Sequence, residues 1–293
     1  MGTKSETVSQ SSQRNALVQQ IWIDEVRGLR KELINFSFIS LKKPTELSRC
    51  LVTISEVSIL DTNDSKILRQ HDSSEQWIDI GKAVTPVDCY IEQFLNQMLS
   101  NEKSRCTITS KSNTISFTIQ LHRIEDRNYY FEQSAEQMLI VARQYKRNGV
   151  EMFPKYHPFA HRYFSMAARC LLSCIPLETP NPSHEDFEII REMQSLLETL
   201  YLNISACLIK QSRYEEVLDV LEYIDHQESP SEKAVYRKAL AYFHLRQFQQ
   251  SVSTLCRIDY TCNKDCLALY RRVKNTNHEE NIKYNNMIKK MFA

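Results

Sequence analysis

The hydrophobic period of the chain changes once. From about residue 28 to about residue 130, apolar and polar residues alternate. Ile34, Phe36 and Phe38 follow this pattern, as do Cys50, Val52 and Ile54. The clearest run is Thr114-Ile-Ser-Phe-Thr-Ile-Gln-Leu121, which sets Ile115, Phe117, Ile119 and Leu121 on one side. A period of two belongs to a strand with one face on a core. Between these runs Val87 to Leu99 takes a helical period, with Ile91, Phe94, Leu95 and Met98 on one face. One helix laid on an antiparallel sheet buries both apolar faces, so residues 28–130 are expected to form an α+β domain. Residues 1–27, polar at the start, are expected to form a flexible N-terminal segment.

From residue 131 to residue 293 the period is 3.6. Phe187, Ile190, Met193, Leu197, Leu200 and Ile204 make one long apolar stripe. Prolines mark the breaks, at Pro176, Pro180 and Pro182 and again at Pro230. Ser229-Pro230-Ser231-Glu232 has the form of a helix start, with Ser229 as cap and Glu232 closing a capping box. The region also repeats itself. Units beginning near Lys146, Leu202 and Lys233 carry small and aromatic residues at matching offsets: Ala160 and Phe164, Ala206 and Tyr214, Ala241 and Phe248. Paired helices that recur in this way stack into a solenoid with a concave groove; the alternative is an ordinary helical bundle.

Composition removes several function classes. The net charge of +1 gives no global field for nucleic acid or an anionic membrane surface. Four glycines in 293 residues disfavour a phosphate-cradling loop, so neither a nucleotide nor any other cofactor is expected. No apolar run is long enough to span a bilayer. Nine scattered cysteines read as reduced thiols of the cytoplasm or nucleus. Cys256, Cys262 and Cys266 lie close in sequence, but their spacing lacks the form of a zinc site, so no metal is expected there.

The ordered motifs resemble a known family. Ile80-Gly-Lys82, Tyr90-Ile-Glu92, Gln97-Met98, Asn101-Glu-Lys-Ser104 and the run Ile115 to Leu121 fall in the order of an FKBP domain. Asn203-Ile-Ser-Ala-Cys-Leu-Ile-Lys210, Glu232-Lys-Ala-Val-Tyr-Arg-Lys238 and Lys283-Tyr-Asn-Asn-Met287 resemble the tetratricopeptide (TPR) repeats and last helix of large FKBP-type immunophilins. The resemblance implies an FKBP-like antiparallel sheet with one helix, followed by an all-α TPR solenoid of three helix pairs and a C-terminal capping helix. It also implies prolyl isomerase ancestry. The departures from the family pattern predict that the activity is lost. Only Thr109 to Thr114 join two strands where relatives carry a long pocket-covering loop. Tyr90 stands for the glycine that starts the pocket helix, Ile91 for the Trp or Leu of the pocket floor, and Asp72 for the pocket acid.

The same resemblance implies partners. Chaperone-binding TPR domains clamp a terminal carboxylate, and Lys146, Asn203, Lys233 and Arg237 match four of the five clamp positions. The fifth, an asparagine in relatives, is Val150. The expectation is a non-catalytic adaptor, with a casein kinase 1 family kinase of the circadian clock as the client that the resemblance suggests. The alternatives are a heat-shock protein 90 co-chaperone using the clamp and an active isomerase. A further possibility is that the clamp residues are inherited, solvated charges. The basic stretch from Cys262 is expected to cap the open end of the solenoid.

Overall fold

A computed structural model of the chain describes residues 20–37, 41–58, 65–69, 74–110, 113–125, 134–174, 184–225 and 231–291. The chain divides into two compact units, residues 1–132 and 133–293.

The first unit holds β1 (Ile21–Asp24), β2 (Leu29–Phe36), β3 (Arg49–Ser58), the single turn α1 (Lys66–Arg69), β4 (Glu75–Asp79), α2 (Pro86–Leu95), β5 (Glu102–Thr109) and β6 (Thr114–Glu125). The strands form one sheet in the order β1-β2-β5-β6-β3-β4, antiparallel throughout. The alternating residues fill its core as expected: Cys50, Val52, Ile54, Phe117, Ile119 and Leu121 are buried against Ile91, Phe94, Leu95 and Met98. Phe94 meets Trp22 and Phe117 edge-on, with ring centroids 6.0 Å apart in each case.

Two features differ from the sequence expectation. The sheet starts ahead of residue 28, because Ile21–Asp24 pairs with β2 and sends Trp22 into the core. The phase of β2 is also opposite to the expected one from its start. Leu29 and Lys31 point inward, so alternation along the strand leaves Ile34 on the outer face, 49% exposed, and the register with β5 shifts between Leu33 and Asn35. Phe38 lies outside the described residues. The buried Lys31 ammonium pairs with the Glu102 carboxylate, which also accepts from Leu99 N–H at 2.8 Å and Ser104 Oγ at 2.6 Å. Those extra donors satisfy the remaining carboxylate lone pairs, the condition for tolerating a charge away from water.

The second unit contains α3 (Ala135–Met152), α4 (His157–Leu172), α5 (His184–Lys210), α6 (Tyr214–Glu222), α7 (Glu232–His244), α8 (Phe248–Leu255) and α9 (Lys264–Met291). They form three helix pairs, α3/α4, α5/α6 and α7/α8, followed by a last helix. Gly149 on α3 lies so close to the Phe164 ring of α4 that a Cβ there would stand 2.6 Å from Cε1. The true capping box is at α3, where Ser134 Oγ accepts from Gln137 N–H and the Gln137 side chain returns to Ser134 N–H. At α7 the cap position is Ser231, with no side-chain cap bond, and Glu232 instead accepts from Asn263 Nδ2 at 2.8 Å. Ser229 and Pro230 lie outside the described residues. Helix α9 packs its first turns on α7 and α8 through Cys266, Leu269 and Val273.

Candidate functional site

In the first unit, two of the residues matched to an isomerase pocket, Tyr90 and Ile91, lie on α2. Helix α2 begins at Thr85, whose Oγ1 accepts from Asp88 N–H at 3.2 Å. Asp88 is buried and accepts from Ser65 Oγ and from the backbone N–H groups of Lys66 and Ile67, the latter two at 3.0 and 3.3 Å. One turn on, Glu92 accepts from Lys82 N–H at 3.0 Å and Ala83 N–H at 2.9 Å. Both helix carboxylates thus hold neighbouring backbone to α2, Asp88 the start of α1 and Glu92 the segment at Lys82 and Ala83. Ile91 is 0% exposed, within the core. Tyr90 is half-buried beside it, and burial raises its phenol above the usual value. Asp72 lies outside the described residues. Strands β5 and β6 pair up to Thr109 and Thr114, and Ser110 N–H donates to Asn113 O at 2.8 Å across the turn. Four residues, 110–113, make the whole connection.

The second unit carries a groove of about 880 Å³ between α3 and α5. Helix α3 turns Met138, Leu139, Ala142, Tyr145 and Met152 inward. Its other face therefore presents Ile140, Arg143, Lys146, Arg147 and Val150 to the groove, and Glu192, Ser195, Leu196 and Thr199 of α5 face them. Ile140 is 63% and Val150 54% exposed, although both are apolar. Arg143 pairs with Glu192 across the groove and ties α3 to α5. Arg147 donates to Gln144 Oε1 at 2.6 Å, and among the described residues neither Lys146 nor Arg147 meets a carboxylate.

Of the four clamp candidates, Lys146 lines this cavity and Asn203, Lys233 and Arg237 do not. Asn203 is half-buried on α5, and Lys233 is exposed on α7. Arg237 is turned into the solenoid, where its guanidinium donates to Leu202 O and to Ser205 Oγ, the second at 3.3 Å. Burial lowers its proton affinity from the usual value. The neighbouring Cys207 thiol is pushed up to about 12 by burial, against the pull of Arg237, and so stays protonated. Sequence reasoning reached Lys146 and Val150 but missed Ile140, Arg143 and Arg147. The missed signal is their spacing: positions 140, 143, 147 and 150 recur every three or four residues, opposite the buried stripe of the same helix.

Beyond the groove, the second and third helix pairs are joined by side chains. Asp225 accepts from Lys238 and Arg257. The Tyr214 and His244 rings stack with centroids 4.3 Å apart and planes 4° from parallel.

Comparison with known proteins agrees with both units. The family described as BDBT FKBP like N-terminal matches residues 22–126, and the family described as Bride of doubletime-like, TPR domain matches residues 134–219. The protein Bride of doubletime of Drosophila melanogaster is 30% identical over 281 residues, covering 93% of this chain and 97% of that protein. A crystal structure of residues 1–211 of CG17282 matches with a TM-score of 0.58 at 30% identity, over 68% of this chain and 98% of that one. A multi-domain immunophilin from Arabidopsis thaliana matches more distantly, at 16% identity and a TM-score of 0.37 over 82% of this chain and 96% of that one. The chain belongs to the Bride of doubletime-like family of FKBP-like proteins with a TPR domain.

Proposed function

We propose that the chain is a non-catalytic adaptor that holds a client protein through its TPR unit and modulates the client's activity or location. The client suggested by the family resemblance is a casein kinase 1 family kinase of the circadian clock. The relative that is 30% identical along nearly the whole chain bears the name Bride of doubletime, and this likeness carries the reading. The loss of catalysis rests on the first unit. Isomerisation must lower a barrier of about 18–20 kcal/mol by holding a twisted imide in a dry, shaped site. The pocket-floor position, Ile91, is 0% exposed, and four residues connect the strands where a covering loop would stand. Free thiols at all nine cysteines fit a reducing compartment, the cytoplasm or nucleus.

Co-purification of the full chain from cells, read by mass spectrometry, tests the adaptor. The expected result is stoichiometric recovery of a casein kinase 1 family member. Recovery of no protein kinase would remove that client. In a protease-coupled isomerisation assay the expected turnover is indistinguishable from the uncatalysed rate.

The co-chaperone reading keeps one observation in its favour. Lys146, Asn203 and Lys233 lie on the first helices of the three pairs, and their side chains make no ion pair or hydrogen bond with a described residue. Against it stand Val150 in place of a donor and Arg237 bound within the chain. A peptide ending in Glu-Glu-Val-Asp is expected to show no saturable binding by calorimetry. Micromolar binding lost in Lys233→Ala would restore heat-shock protein 90 as the partner.

A further inference from the structure

The α3/α5 groove has the chemistry of a receptor for side chains. A clamp for a chain terminus needs several donors converging on one carboxylate. Here the Arg237 guanidinium already serves Leu202 O and Ser205 Oγ, and Val150 offers a methyl surface where a donor would be needed. The volume, about 880 Å³, is that of a site enclosing several side chains. Its apolar surface is continuous in chemistry: Ile140, Val150 and the buried Leu196. Lys146 and Arg147, which meet no carboxylate among the described residues, are adjacent in sequence and stand between the two exposed apolar side chains. Glu151 and Glu192 also line the groove, and Glu192 is already paired with Arg143. Two cations between apolar side chains complement a polypeptide that interleaves apolar side chains with carboxylates, a pattern that the uniform phosphate backbone of a nucleic acid lacks.

We propose that this groove binds an internal segment of a client, in which apolar side chains fill the space at Ile140, Val150 and Leu196 while flanking Asp or Glu residues meet Lys146 and Arg147. The inference deepens the adaptor reading and rests on it. It names the client's chemistry and dispenses with a free C-terminus.

The test uses the full chain and a phage library of random twelve-residue segments. The segments are fused at their C-terminal ends to the coat protein, so that no free carboxylate is presented. Enriched segments are expected to combine Leu, Ile or Phe with Asp or Glu. As amidated synthetic peptides they should bind at least ten-fold more weakly to Lys146→Glu/Arg147→Glu and to Val150→Lys, with circular dichroism unchanged. Affinity for the wild-type chain should fall several-fold between 50 and 200 mM salt, as screening of a charged contact requires. The proposal is overturned if nothing enriches, if enriched peptides lack carboxylates, or if they bind the variants as well as the wild type. It is equally overturned if enrichment occurs only in a library displaying free C-termini. Co-purification with Lys146→Glu/Arg147→Glu separates the two readings. A client retained by that variant keeps the adaptor and rejects the groove, whereas a wild-type chain that recovers no client at all rejects the adaptor.

Discussion

At position 149 there is no room for a side chain. The ring of Phe164 fills the space that a Cβ would occupy, with carbons at 2.6, 2.8 and 2.9 Å. The glycine is required by this close approach, since its φ is unremarkable. Gly149→Ala must push the ring aside in a buried contact, at a cost of about 1–3 kcal/mol. Thermal unfolding followed by circular dichroism should show a melting temperature lower by several degrees; an unchanged melt would mean that the two helices are not so close. Asp225 supplies a pH-dependent counterpart. Burial acts to raise its carboxyl, but hydrogen bonds and charge from Lys238 and Arg257 outweigh it, and the net shift is downward from the ordinary 3.8. A carboxyl depressed in the folded state binds its proton more readily when unfolded. Its contribution is therefore complete above about pH 4 and is lost as pH falls further, through the lower folded value. Asp225→Asn should cost about 1–2 kcal/mol at pH 7, between the worth of exposed and buried pairs. The difference from the wild type should shrink as pH falls below about 4 in urea titrations, and a constant difference would refute the ion-pair account.

At the scale of elements, what could be read from the sequence depended on how local the cause was. The alternation of Cys50, Val52 and Ile54 and the helical stripe of Ile91, Phe94, Leu95 and Met98 are legible because burial on one face writes itself into neighbouring residues. Strand β1 was hidden because four residues, Ile-Trp-Ile-Asp, are too few to show a period. The exposure of Ile34 was hidden because the inward position of the charged Lys31, which sets the phase of β2, depends on its pairing with Glu102, seventy-one residues away in sequence. Arg237 matched a clamp position by motif, yet its partners are on α5, and only the packing of α7 on α5 decides which way it points. Helix α9 shows the same division within one element. Cys266, Leu269 and Val273 are buried, and Arg246 pairs with Glu280 at 3.2 Å. Beyond Glu280, Ile282, Tyr284, Met287 and Met291 are exposed. Val273→Ala should therefore destabilise the TPR unit by about 1–3 kcal/mol, a buried large-to-small change. Truncation after Asn281 should change stability by less than about 0.5 kcal/mol, as for surface changes. Denaturant midpoints of the two variants check this, and a truncation as damaging as the core substitution would show that the end of α9 is packed.

At the scale of the whole molecule, the proposed loss of catalysis comes down to one volume beside α2. An FKBP-like sheet needs a helix against its concave face for stability, and α2 meets that need by filling the space with Ile91, Phe94, Leu95 and Met98. A catalytic pocket needs the opposite, a dry cavity left open beside the same helix. The two demands compete for one volume, and Ile91 stands on the side of packing: it touches core and not solvent, while Asp88 and Glu92 hold the start of α1 and the segment at Lys82 and Ala83 against α2. Restoring the family's floor residue should not restore function. Ile91→Trp inserts a larger ring where relative exposure is already 0%, so the expected result is a loss of about 1–3 kcal/mol of stability with no isomerase turnover. Denaturant unfolding and a protease-coupled assay on the same preparation measure both quantities. Turnover in Ile91→Trp would mean that the helix can move aside and that a pocket lies one substitution away. Its absence, together with client binding that survives the substitution, would place the working surface of the chain on its helical unit.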